Sequence, residues 1–232
     1  MDAVTAGRVS SLVTDVEDGL REHADPDYVA GTVAARSPGK PVLGVRIPLL
    51  RGAVKAGLES AGLTARNQDP VVVFGAADAL WHGSVHEAEL AGSMMLRLTD
   101  LRMPAPMILR WALLLDNWLS VDELGGVVGM SLVDDPALLH QLHGLAVSPS
   151  VWQRRLYVVS LIRPVKAGLS PTEVPELDTL LGEKDPAIRK ACVWLINEAI
   201  KARSTEAAAQ FRELVPGAAP KTLVRILDAA LV

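Results

Sequence analysis

The chain has 232 residues, half of them apolar, and 23 basic against 27 acidic side chains give a net charge of −4. That is enough chain to bury a sizeable core, as one large domain or an array of small units, and the charge has the wrong sign for a protein that coats nucleic acid. A single cysteine, Cys192, excludes an internal disulfide, and no apolar run reaches the roughly 18 uncharged residues of a membrane span because Arg110 and Asp116 interrupt the best candidate. Met1-Asp2-Ala3 opens no signal peptide, so a soluble cytoplasmic protein with no membrane partner is expected.

Charge is segregated along the chain. Residues 1–30 hold seven acids and two bases, residues 31–66 six bases and one acid, and residues 151–170 four bases and no acid. Such blocks can make a local basic surface on an acidic protein, and they are expected to face one groove.

Helical periodicity runs from end to end and predicts an all-α fold; the one run with strand character is Val71-Val72-Val73-Phe74. Helix starts are expected at Asp25-Pro26, Asp69-Pro70, Ser84 with Glu87, Ser120 with Glu123, Asp135-Pro136, Ser170 with Glu173, and Asp185-Pro186. Short amphipathic helices in antiparallel pairs need neighbours to bury both faces. The predicted architecture is therefore a curved solenoid, a HEAT-like or armadillo-type α-α superhelix forming one domain over residues 1–232.

In chain order, the first stretch with chemical interest is Leu43 to Arg51, where Pro48 suits a first helical turn and Arg46 and Arg51 are either phosphate contacts or ordinary solvated residues. Next, His82 and His86 stand four apart. Gly83 and the expected Ser84 cap put His82 outside the helix, and no third ligand lies at useful spacing, so a metal site is rejected.

The stretch Asp116 to Gly129 is the centre of the reading. A capping box would start a helix at Val121, with Val121, Leu124, Val128 and Leu132 on one apolar face. Asp122 falls beside that face on a strip with Gly125, Gly126 and Gly129, and Trp118 lies one turn earlier. Each glycine costs a helix interior up to about 1 kcal/mol relative to alanine, so three of them call for a close approach of another backbone or a ligand. The plainer account makes Asp122 a first-turn acid favoured by the helix dipole, and makes the glycines packing devices.

Two further helices follow. In Val151 to Ile162, Arg155 lies on the apolar face near Val151, Trp152, Val158 and Val159, so it either pairs with a buried acid or reaches a groove as a phosphate contact. In Asp185 to Ala199, Ile188, Ala191, Cys192, Leu195, Ile196 and Ala199 form the apolar face, which places Cys192 in the core. Trp194 then points roughly 140° away, in a strip with Lys190, Asn197 and Lys201, where it packs on a neighbouring helix or stacks on a ligand.

Taken together, these segments resemble the DNA alkylation repair glycosylases built of HEAT-like repeats, over nearly the whole chain. Leu43 to Arg51 is similar to the family's LG(V/I)RxPxxR segment, Leu80-Trp81 with His86-Glu87 to its LW-then-HE segment, and Asn117 to Asp122 to its NWDxVD segment. Trp152-Gln153-Arg154-Arg155 resembles its WxRR helix, and Ile188 to Glu198 its (I/V)xKAxGWxLRE helix. Leu119, Val193 and Asn197 depart from it, standing where the family usually has an acid, Gly and Arg.

The resemblance implies a DNA glycosylase that releases cationic N3- or N7-alkylated purines from duplex DNA without flipping them into a pocket. It implies a monomer with neither metal nor organic cofactor, associated with the nucleoid when bound to DNA. Trp118, Asp122 and Trp194 would line one lesion cleft as catalytic residues. Arg154, Arg155, Lys190, Arg46 and Arg51 would bind DNA. The alternative is a catalytically silent HEAT-like scaffold binding nucleic acid or protein through its concave face, in which those three residues are free to disperse.

Overall fold

Several helices of this chain start on a side-chain cap, with Asp2, Asp69, Asn117 and Asp185 each accepting an N–H of the first turn. The computed structural model describes residues 2–36, 38–217 and 219–231, without the side chains of Ala35 and Arg36. Met1 and the Arg36 side chain, both used in the sequence reading, lie outside the described residues. Among those residues there is no strand and no helix long and apolar enough to cross a membrane. The chain forms two compact units, Met1–Arg102 and Met103–Val232.

The first unit contains α1 (Ala3–Glu22), α2 (Pro26–Arg36), α3 (Ile47–Ser60), α4 (Pro70–Trp81) and α5 (His86–Leu98). The valine run at 71–73 is helical. Asp69 accepts a hydrogen bond from the Val72 N–H and Pro70 presets the first turn, so the cap overrides the β-branched preference. At α5 the expected Ser84–Glu87 box is replaced. Val85 is the N-cap residue, and Glu87 is buried, accepting the N–H groups of Leu43 (3.0 Å), Gly44 (2.8 Å) and Val45 (3.2 Å). Three amides converging on one carboxylate strap the 43–45 loop to α5, and Gly44 permits it: its φ is +83°, and a Cβ there would lie 2.1 Å from the Asp25 carbonyl oxygen.

The second unit contains α6 (Ala105–Ala112), α7 (Trp118–Asp134), α8 (Leu138–Ala146), α9 (Val151–Ser160), α10 (Ile162–Ala167), a 3₁₀ turn (Pro171–Glu173), α11 (Leu177–Leu181), α12 (Pro186–Leu214, broken at Ser204) and α13 (Lys221–Ala230). Its helices pack on near neighbours in sequence, as in an α-α solenoid. Cross-links show the geometry. Arg155 reaches Asp122 across 33 residues and Ala187 across 32, and Lys166 reaches Glu198 across 32. Because successive contacts keep nearly the same offset, from Asp122 with Arg155 to Gly129 with Arg163 and from Ala187 with Arg155 to Glu198 with Lys166, α7, the α9–α10 pair and the first half of α12 run parallel.

Close contact of α7 with α9 depends on two of the three glycines. A Cβ at Gly125 would stand 2.6 Å from Val159 Cγ1, and one at Gly129 would stand 2.9 Å from the Ser160 carbonyl oxygen. Pro164 has no N–H to offer that carbonyl in a regular helix, which frees Ser160 to approach Gly129. Gly126 faces open space. The apolar face Val121, Leu124, Val128 and Leu132 is fully buried, each side chain contributing about 1.5–3 kcal/mol.

Candidate active site

The N-terminus of α7 positions the site, and it begins three residues before the expected Val121. Asn117, fully buried, is the cap: its Oδ1 accepts the N–H groups of Leu119 and Ser120, both at 3.0 Å, while its amide nitrogen donates to Asp116 Oδ1 and Ser120 Oγ. The Ser120–Glu123 box is thus superseded by an amide that satisfies more groups at once. One consequence is that Trp118 becomes the first helical residue. Another is that Asp122 lies beyond the first turn, where the helix dipole no longer accounts for an acid.

What holds Asp122 is α9. Arg155 Nε donates to Asp122 Oδ1 and Nη2 to Oδ2, each at 3.0 Å, while Nη1 donates to the Ala187 carbonyl at 2.6 Å. Both side chains are withdrawn from solvent, at 8% exposure for Arg155 and 17% for Asp122. Burial pushes the Asp122 carboxyl above its ordinary value, and the hydrogen bonds and charge of Arg155 oppose this. Two N–H donors meeting two oxygens require the ionised form, since a proton on either oxygen would oppose one donor. Of the two roles open to Arg155, the buried ion pair is the one formed.

Trp118, Asp122, Trp152, Arg155 and Lys190, with Pro186 and Ala187, line a cleft of about 470 Å³. Trp118 is 38% exposed, so part of its indole is open to solvent at the cleft. Trp194, 39% exposed, is not among the lining residues; it stands on α12 one turn beyond Lys190. The cleft therefore brings together two members of the expected trio and substitutes Trp152 for the third. In the sequence Trp152 reads as part of the apolar face of α9 rather than as a site residue. The available signal was its position three residues before Arg155, on the same side of α9.

The cations sort into spent and unspent. Arg154 is spent: Nε and Nη2 meet Glu183 at 2.7 and 3.2 Å, and Nη1 donates to the Ser148 and Pro149 carbonyls. Lys166 and Lys201 share Glu198, whose carboxyl they pull down to about 2. Three of the four bases in 151–170 are thereby neutralised, contrary to the expected basic surface. In the first unit, Arg46 pairs with Asp25 at 3.3 Å and lies over the Tyr28 ring, and Lys40 pairs with buried Glu89, whereas Arg51 is exposed. Lys190 remains exposed at the cleft.

Cys192 is buried as expected, its Sγ 3.6 Å from the Leu180 carbonyl oxygen. The family model described as DNA alkylation repair enzyme matches residues 16–221. No curated protein matches the chain.

Proposed function

Because the chain belongs to the family of DNA alkylation repair enzymes, we propose that it is a DNA glycosylase that hydrolyses the N-glycosidic bond of cationic N3- or N7-alkylated purines in duplex DNA. The observation supporting this reading is a cleft in which one carboxylate, fixed by a bidentate guanidinium, stands among two indoles.

The chemistry follows from the charge of the substrate. An alkylated purinium leaves with the electron pair of the bond to C1′ and becomes neutral, so no general acid is needed to protonate it. Positive charge passes to the sugar, and water adds to C1′ and releases a proton. The indole faces of Trp118 and Trp152 attract the cationic base by about 0.5–2 kcal/mol each. Asp122 offsets the charge developing on the sugar and can accept a hydrogen bond from the attacking water, since Arg155 occupies only part of the acceptor capacity of its two oxygens. Arg155 is a positioning residue. It keeps Asp122 ionised and oriented despite burial. Trp194, further along α12, offers its indole to the flanking duplex.

The competing reading is a catalytically silent helical scaffold, and the Asp122–Arg155 pair gives it a footing because a structural ion pair would look the same. Incubation with duplex DNA carrying N7-methylguanine separates the two. The glycosylase reading predicts release of the free base and an abasic strand; binding of the duplex without release would leave the scaffold.

A further inference from the structure

A second cavity of about 240 Å³ lies beside the cleft and shares Lys190 with it. Arg189, Lys190 and Thr222 supply its polar lining, against Val193, Pro220 and Leu223. Among the described residues no carboxylate lines it. Asp185, four residues before Arg189, is held on the Ala187 N–H instead. Unlike Arg154, Arg155, Lys166 and Lys201, neither Arg189 nor Lys190 makes an ion pair among the described residues, and both are exposed. Two cations without an ion pair among the described residues and a hydroxyl, around a space that would hold several waters, match a tetrahedral anion in charge, hydrogen-bonding and size.

We propose that this pocket binds a backbone phosphodiester of duplex DNA, with Arg189 and Lys190 neutralising its charge and Thr222 donating a hydrogen bond. The proposal rests on the glycosylase reading for the identity of the polymer and the nearness of the lesion. Lys190 joins the two sites: with its ammonium on the phosphate, it sets the register in which an alkylated base meets Trp118 and Trp152. The phosphate-binding role expected of Arg154 and Arg155 passes to residues one layer further along the stack.

Binding of the full chain to an undamaged duplex, titrated against salt, tests this. Arg189→Ala should weaken binding and make the slope of log affinity against log salt shallower by about 1, because one counterion-releasing contact is lost. Thr222→Val should weaken binding roughly 2- to 12-fold with the slope unchanged, as for one net hydrogen bond. An Arg189→Ala protein with wild-type affinity and slope would overturn the proposal. So would wild-type affinity in Thr222→Val, which would reduce the pocket to a diffuse positive field. These outcomes are independent of excision: a wild-type protein that releases no base, while Arg189→Ala and Thr222→Val behave as expected, would refute the glycosylase and leave the phosphate pocket standing.

Discussion

Arg155 grips Asp122 with a fork of two 3.0 Å hydrogen bonds across the α7–α9 contact, so the acid and the base most suggestive of chemistry in this chain are each other's partner. A charge buried this way is costly to orphan, and that shapes what substitutions will do.

Arg155→Ala strands a buried carboxylate, and breaking such a pair from one side typically costs about 3–5 kcal/mol. For a chain of this size that corresponds to a fall of about 6–20 °C in melting temperature. Affinity of the folded protein for undamaged duplex should be unchanged. A stable Arg155→Ala protein that binds duplex weakly would instead restore a phosphate contact at this position.

The two tryptophans of the cleft should act on charged bases. Trp118→Ala and Trp152→Ala should each slow excision of N7-methylguanine by about 2- to 30-fold, the range of one cation–π contact, while changing affinity for undamaged duplex little. Equal losses in both assays would mean that the indoles only hold the helices.

Glycines on α7 should respond in opposite directions. Gly125→Ala forces a methyl against the Val159 side chain of α9 and should cost about 1–3 kcal/mol in denaturant unfolding. Gly126→Ala meets nothing and should stabilise by up to about 1 kcal/mol. Destabilisation of similar size at both would contradict the packing described here.

Alkaline pH should weaken the fold. Burial pushes the Cys192 thiol up to about 12, with Glu183 adding to the rise, and burial with Glu176 pushes the Tyr157 hydroxyl up to about 12. Both groups keep their protons longer in the folded chain than in the unfolded one, so stability is full below about pH 9 and declines between about pH 9 and 12. Denaturant midpoints measured from pH 8 to 11 should fall, and Cys192→Ala should abolish the earliest part of the decline. The thiol should also resist alkylation in the native state. A flat profile would show that these groups titrate normally.

Much of this organisation is visible in the residues. Asp-Pro pairs at 69–70 and 185–186 start helices as their chemistry demands, and the 3.6-residue period puts Val121 and Leu124 inside and Trp194 outside. Local signals fail where a better long-range partner exists. Asn117 outcompetes Ser120 for the α7 cap, and Glu87 abandons its own helix for three loop amides. The arginines mislead most, because Glu183 and Asp122 lie 29 and 33 residues away from Arg154 and Arg155, and no periodicity brings them together. Only the parallel stacking of α7, α9 and α12 does so.

The role of Asp122 as a charge stabiliser is tested most directly by removing both charges of the pair at once. Asp122→Asn alone would leave Arg155 charged and buried, so lost stability would be mistaken for lost chemistry. The double variant Asp122→Asn, Arg155→Gln removes both charges together and should melt near the wild-type temperature and bind undamaged duplex normally. Its single-turnover release of N7-methylguanine should be slower by about 10²–10³-fold, the usual effect of losing one contact to charge that develops only as the bond breaks. A folded double variant that excises at the wild-type rate would contradict this account and leave Asp122 with a purely structural role.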